Sequence, residues 1–227
     1  DLNNNEALIG FHGQTIYHNS NEKISKQLGD GKLLNQLTKK KIIYNFREND
    51  ILNGGEGAPL APLFHQLIVT QNKISLPVCV LNIGGISNIT IINEPIGSRE
   101  IYSKDIGPGN CLIDSWIRKN SIKKFDQDGK LASIGKINEI ILEQAQELYA
   151  NRTEKKKLSF DTSDFDVSFS RGLSIEDGAA TLTEFTANII GDSISTFLKK
   201  SKLIKKILIC GGGRKNKILL TLWLFIK

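Results

Sequence analysis

The apolar positions of this chain fall into short runs ended by glycine, interleaved with longer stretches of helical spacing. VCVLNI, residues 78–83, is an apolar, β-branched run and predicts a buried strand that Gly84-Gly85 breaks. ISNITII alternates apolar and polar positions and predicts a second strand. NEPIGS turns it into a third, REIYSKDI, so the three form an antiparallel meander that DIGPGN closes. CLIDSWIRKN then places Leu112, Ile113, Trp116 and Ile117 at helical spacing. INEIILEQAQELYANR, 137–152, predicts an amphipathic helix. Ser174 followed by Asp177 resembles a capping box, with Asp in place of the usual Glu. It opens a long helix through DGAATLTEFTANIIGDSISTFLKK. LIKKILICGGG reads as a strand ending in three glycines, and RKN opens another helix.

The upstream pattern is less regular. ALIGF predicts a buried strand and HGQT a tight turn after it. Within residues 21–40, Ile24, Leu28, Leu33, Leu34 and Leu37 recur at roughly helical spacing. KIIYNF, 41–46, predicts a short strand. A glycine-rich loop follows (Gly54-Gly55-Glu56-Gly57-Ala58-Pro59), and PLFHQLI opens a helix. This order predicts a mixed α/β domain over residues 76–227 and part of another α/β domain over 1–75.

Composition narrows the function classes. A chain of 227 residues holds one large domain or two small ones. The net charge of +6 sits in scattered lysine clusters, such as 39–41 and 155–157, without interleaved aromatics. That reads as a solvated surface and not as a nucleic-acid or membrane patch. Cys79, Cys111 and Cys210 show no CxxC spacing, which argues against disulfides and zinc and fits a reducing cytoplasm. The histidines do not pair at metal-ligand spacing. The polar start, DLNNNEALI, is no signal peptide, and the longest apolar run, ILLTLWLFI at 218–226, is shorter than the ~20 residues of a membrane helix. The sequence contains no methionine and its last residues continue that apolar run, so it reads as a fragment truncated at both ends.

Four glycine-bearing segments follow predicted strands: GFHGQT, GGEGAP, NIGGISN and GGGRKN. Glycine admits close backbone approach to a ligand, and a helix N-terminus beyond it suits phosphate; a plain turn is the competing reading. No GxxxxGK[ST] phosphate loop is present. Asp105, at a strand end before the DIGPGN turn, is placed to accept a proton from water or a hydroxyl, or else to hold an Asx-turn. Arg47, after IIYNF, could fork onto a carboxylate or sugar oxygens, or pair with Asp50. His12 could bond a ligand or cap its turn. His18 and His65 read as structural.

Together, IGFHGQTIYH, NFRENDILNGGEGAPLAPLFH, LNIGGISNIT, KDIGPGNCLIDSWI, FDQDGKLASIG, LSIEDGAATLTEFTA and ILICGGGRKN resemble, in order, the anhydro-N-acetylmuramic acid kinase family, and its alphaproteobacterial branch in particular. The resemblance implies an actin-like ATPase fold of two α/β domains with a cleft between them, incomplete here at both ends. It implies ATP, magnesium and water as reactants that open the 1,6-anhydro bond of a muramic sugar and phosphorylate O6, in cell-wall recycling. Partners would be the small sugar and a second copy of the chain, in the cytoplasm, with no nucleic acid or membrane. Asp105 matches the aspartate of the family's D-x-GPGN motif, the base that activates the water attacking C1. The residue after it is often threonine in the family and is Ile106 here. Arg47 matches the arginine expected to hold the sugar, and His12 and Gly13 match its HG pair. Gly84 and Gly85, the turn residues Gly107, Gly109 and Asn110, and Gly211, Gly212, Gly213 and Asn216 are expected near phosphate and adenosine. No protein ligand to metal is expected. The family's G-x-M-S-G-T-S-x-D-G hairpin does not occur in this sequence, and its P-P-K-S reads KKLS at 156–159. Two readings stay open: a kinase, and a catalytically inactive remnant that binds sugar weakly at most.

Overall fold

The computed structural model describes residues 8–19, 21–94, 101–153, 160, 162–200, 204 and 206–225. The KKLS stretch, lysines 155–157 and the middle of the NEPIGS turn lie outside the described residues. Contacts divide the chain into two units, Asp1–Phe64 and His65–Lys227.

Unit 1 runs β1 (Leu8–Gly10), β2 (Gln14–Asn19), β3 (Ile24–Leu28), α1 (Gly31–Thr38), β4 (Lys41–Ile43), α2 (Phe46–Leu52) and the start of α3 (Ala61–Gln71). β1 pairs in parallel with β4, and β2 pairs antiparallel with β3. Residues 21–40 are therefore not one helix. Ile24 and Leu28 lie on a strand, because a spacing of four residues satisfies a period of two as well as one of 3.6. Gly29, at φ +118°, breaks the strand, and the Asp30 carboxylate caps α1 by accepting from the Lys32 and Leu33 N–H groups.

A second departure follows KII. The strand ends at Ile43, Asn45 turns left-handed at φ 59°, and Phe46 opens a helix. Arg47 thus stands in the first turn of α2, not at a strand end, and GGEGAP follows a helix, not a strand. β1 is partly exposed, not buried. No large apolar side chain is buried among the described residues of unit 1; Leu37 and Leu52 are 73% and 78% exposed.

Unit 2 contains the rest of α3, then β5 (Val78–Ile83), β6 (Ile86–Ile92), β7 (Ile101–Pro108), α4 (Cys111–Asn120), α5 (Lys130–Ile134), α6 (Glu139–Thr153), α7 (Ile175–Lys200), β8 (Ile207–Cys210) and α8 (Lys217–Phe225). Its sheet has the order β7-β6-β5-β8: the expected meander, with β8 added parallel to β5. One face buries Cys79, Leu81, Ile83, Ile89 and Ile106 with Ala187, Ile190 and Ile194 of α7 and Leu219 of α8. On the other face Val78, Val80 and Ile92 pack with Val69 of α3. The later part of α3 is thereby tied to this sheet, which explains a division that falls ahead of residue 75. The opposite flank of α7, through Leu182, Phe185 and Ile189, packs with Leu112, Trp116 and Ile117 of α4 and Leu142 of α6.

The start of α7 is capped, but not by a reciprocal box. Ser174 Oγ accepts from the Asp177 N–H at 3.0 Å, while the Asp177 carboxylate turns away to accept from the Lys136 N–H at 2.7 Å. In the next turn Gly178 lies flat against the Trp116 indole, whose Nε1 donates to Ile175 O at 2.9 Å. A Cβ on Gly178 would run into that ring. Replacing a mid-helix glycine by alanine ordinarily stabilises by about 1 kcal/mol. Gly178→Ala is expected to do the reverse, lowering stability by about 1–3 kcal/mol through overpacking. Urea unfolding followed by tryptophan fluorescence reads the sign.

Candidate active site

Three glycine-bearing turns of unit 2 meet at the end of β5. The Gly84-Gly85 tip joins β5 to β6, and its two carbonyls receive the turn before α4. Gly85 O accepts from the N–H groups of Gly109 (2.9 Å) and Cys111 (3.1 Å). Gly84 O accepts from the Asn110 N–H at 2.7 Å and from Asn110 Nδ2 at 2.9 Å. Ser87 Oγ donates to Pro108 O at 3.0 Å, closing the other side. The contact is too close for a side chain, since a Cβ on Gly109 would collide with Gly84 O. The third turn, after β8, presses Gly211 and Gly213 against Ile83, while Gly212 meets only Asn110 Nδ2, 3.7 Å from where its Cβ would stand.

Gly84, Gly85, Gly109, Asn110, Gly211, Gly212 and Gly213 are thus brought together. Asn216 is not used in the same way. Its Oδ1 accepts from the Leu219 N–H at 3.1 Å and caps α8, and the residue is buried. The N–H groups of Gly109, Asn110 and Cys111 are already bonded to the hairpin, so they do not point out as a phosphate cradle. Gly85 and Gly212 are the exposed glycines of the cluster, each with a single atom in ordinary contact distance of where a Cβ would stand.

Asp105 lies inside β7, not at its end, since the strand continues to Pro108. Asp105 stands opposite Asn88 and Gly107 opposite Ser87, so Ile106 is an extra residue in the ladder, a β-bulge. The bulge is clamped. Ile106 O accepts from the Tyr149 hydroxyl and from Ser193 Oγ, both at 3.3 Å. Gly107 adopts φ +150°, and the Ile189 side chain occupies the space a Cβ would need. Asp105 Oδ2 accepts from the Phe160 N–H at 2.9 Å, a partner far along the chain, so the Asx-turn reading is set aside. Burial pushes the Asp105 carboxyl above the usual aspartate range, and the Phe160 bond opposes that only in part. Burial likewise pushes the Tyr149 phenol up to about 12, keeping it a donor.

In unit 1, Arg47 Nε donates to His12 Nε2 at 2.9 Å and Arg47 Nη1 to Gly57 O at 3.0 Å. His12 Nε2 is therefore an acceptor, which assigns the ring proton to Nδ1, 2.8 Å from Gly13 O. Gly13 turns the chain between β1 and β2 at φ +72°, where a Cβ would strike Leu28 O. Asp50 does not pair with Arg47. Its Oδ2 accepts from the Gly57 N–H at 2.8 Å, so the two side chains grip the same glycine from opposite sides. Beside them lies a pocket of about 550 Å³, lined by His12, Phe46, Asn49, Asp50, Leu63 and Phe64 among others. His18 and His65 hold Ser25 and Thr90 through their side chains.

The sequence pattern marks Asp50 only as a surface partner for Arg47, and it gives no signal for Asn88, Tyr149 or Ser193. Folding VCVLNI against ISNITII about the glycine pair as a two-residue turn would put Asn82 opposite Ser87; the strands instead pair one residue further on, with Asn82 opposite Asn88. Neither that shift nor the bulge that sets Asn88 opposite Asp105 has a signal in the sequence pattern.

The family model described as anhydro-N-acetylmuramic acid kinase matches residues 2–224. The chain belongs to the anhydro-N-acetylmuramic acid kinase family. It is 55% identical over 210 residues to the anhydro-N-acetylmuramic acid kinase of Pelagibacter ubique, covering 92% of this chain and 56% of that protein. It is 40% identical to that of Zymomonas mobilis (93% and 56% covered) and 39% identical to that of Gluconobacter oxydans (94% and 58%). The chain therefore spans little more than half the length of these kinases.

The raised carboxyl of Asp105 has a consequence for stability. Between its unfolded and folded pKa values, the folded protein holds a proton that the unfolded chain has released, so stability falls as pH rises through that window. Asp105→Asn removes the ionisation. The variant is expected to unfold at higher urea than the unmodified chain at neutral pH, and the difference is expected to vanish below the ordinary aspartate pKa of ~3.9. Urea titrations at the two pH values measure both halves.

Proposed function

We propose that this chain performs the kinase chemistry of its family. It would open 1,6-anhydro-N-acetylmuramic acid with water and transfer the γ-phosphoryl of ATP to O6, giving N-acetylmuramic acid 6-phosphate for peptidoglycan recycling. The observation that carries this reading is Asp105: a half-buried carboxylate with a raised pKa, aimed by a clamped bulge beside three glycine turns. A raised pKa makes it a better proton acceptor than an ordinary surface aspartate. Asp105 takes a proton from water as the water oxygen bonds to C1. The C1–O6 bond breaks, and O6 attacks the γ-phosphorus of ATP as ADP leaves.

Arg47 is the candidate sugar contact of unit 1. It commits Nε and Nη1 to His12 and Gly57, which holds the guanidinium in place and leaves Nη2 for an oxygen of the sugar or for the lactyl carboxylate of muramic acid. On unit 2, Gly212 is the candidate point of approach for the nucleotide; Asn216 and the Gly109–Cys111 amides are assigned no nucleotide contact. Magnesium enters as the usual companion of the ATP phosphates, and no cluster of three metal-ligating side chains is found among the described residues. The reading includes the actin-like fold, which the mixed sheet of unit 2 with its glycine turns supports. It also includes a cytoplasmic homodimer. No helix among the described residues is long and apolar enough to cross a membrane.

The test is turnover. The purified chain is incubated with magnesium-ATP and 1,6-anhydro-N-acetylmuramic acid, and the hydrated, phosphorylated sugar is sought by mass spectrometry. Product is expected from the unmodified chain, with Asp105→Asn slower by about 10²–10⁴-fold. Arg47→Lys keeps the charge but loses the planar fork, and is expected to raise the KM for sugar more than it lowers kcat. No product from the unmodified chain would overturn the proposal that this chain catalyses the reaction by itself.

A further inference from the structure

The register of the four-stranded sheet lines up one transverse row. Asp105 on β7 stands opposite Asn88 on β6, Asn88 opposite Asn82 on β5, and Asn82 opposite Cys210 on β8. All four are partly exposed. In the preceding row on the same face the two central-strand residues, Val80 and Thr90, are buried, and His65 of α3 bonds the Thr90 hydroxyl at 2.9 Å. On the two central strands the face therefore changes from buried to partly exposed within one row. The change comes where β5 and β8, a parallel pair, reach their carboxyl ends. In open α/β sheets that is where ligands bind.

The row is polar, and its members are not equally engaged. Asp105 is held by the Phe160 N–H, and Asn82 Oδ1 lies 3.6 Å from the Cys210 thiol that donates to it. The Asn88 side-chain amide has no hydrogen-bond partner among the described residues. Directly opposed residues stand about 4.5–5.5 Å apart at Cβ. A carboxylate and a free amide at that separation can bond neighbouring oxygens of one ligand, the carboxylate accepting and the amide donating.

We propose that Asn88 is a substrate-binding residue, whose amide donates to an oxygen of the anhydro-sugar beside the carbon that faces Asp105. The proposal rests on the kinase reading above. The sugar is then held between an acceptor and a donor fixed by adjacent strands, so its orientation against Asp105 is set by sheet register, not by a loop. Asn88 is a better candidate for this than Asn82, because Asn88 stands directly opposite Asp105 while Asn82 lies one strand further along the row.

The experiment uses the chain with 1,6-anhydro-N-acetylmuramic acid alone, without nucleotide. Sugar affinity is measured by calorimetry for the unmodified chain, Asn88→Ala and Asn88→Asp, and the side-chain amide of Asn88 is followed by ¹⁵N NMR. Loss of one buried hydrogen bond predicts an affinity about tenfold weaker in Asn88→Ala. Asn88→Asp keeps the shape, loses the donor and sets a second carboxylate against Asp105, and is expected to weaken binding at least as much. Its Asp105 carboxyl signal is also expected to titrate higher than in the unmodified chain. The Asn88 amide resonance is expected to move on addition of sugar. Binding by Asn88→Ala within twofold of the unmodified chain, with an unmoved amide resonance, overturns the proposal and leaves the kinase reading intact. An unmodified chain that binds no sugar overturns both. An unchanged Asp105 titration in Asn88→Asp overturns the pairing itself.

Discussion

The arrangement of unit 2 depends on two carbonyl groups. Gly84 O and Gly85 O, at the tip of the β5–β6 hairpin, receive the backbone N–H groups of Gly109, Asn110 and Cys111. Those three N–H groups would otherwise be open at the start of α4, where a helix has no internal partners for them. The bonds fix where β7 ends and where α4 begins. They also explain why Gly109 is glycine, since its backbone approaches Gly84 O within a distance that excludes a Cβ. The GGG turn after β8 then rests against Ile83, at the foot of the same hairpin. A segment that looks like a set of ligand loops is, in large part, a set of loops bonded to one another.

That internal closure gives the bulge at Ile106 its rigidity. β7 is pinned at its far end by the hairpin, and the surplus residue has to be taken up between Asn88 and Ser87. Tyr149 of α6 and Ser193 of α7 hold the displaced carbonyl, and Ile189 fills the space beside Gly107. Two helices thus support the position of one carboxylate that lies on neither. Asp105 is partly withdrawn from water yet retains a backbone donor, which places it between a free surface acid and a fully buried neutral one. Unit 1 is organised differently. No large apolar side chain is buried among its described residues, and its ordered cluster is polar, with Arg47 and Asp50 holding opposite edges of Gly57.

Where one period dominated, the chain could be read directly. VCVLNI and ISNITII were legible as strands because their burial follows from β-branched runs, and α4 because Leu112, Ile113, Trp116 and Ile117 repeat at helical spacing. The region of Ile24 and Leu28 was not, because a spacing of four fits both periods and only Gly29 and Asp30 decide between them. Phe46 opens a helix because Asn45 tolerates a left-handed turn, a conformation that NFREND does not announce. In the same way, Ser174 announced the helix that it caps, while the choice of the Asp177 carboxylate for Lys136 depended on a loop from elsewhere in the chain.

By itself the sequence determined the family, the meander, the long central helix and the candidate base, because these rest on local periodicity and on motifs whose residues are contiguous. Tertiary structure alone decided which backbone groups the glycine turns leave open, where the extra residue of β7 is absorbed and which side chain faces Asp105. Those are matters of pairing between segments distant in the chain. A one-residue change of register would move Asn88 to the other face of the sheet without altering the pattern of either strand.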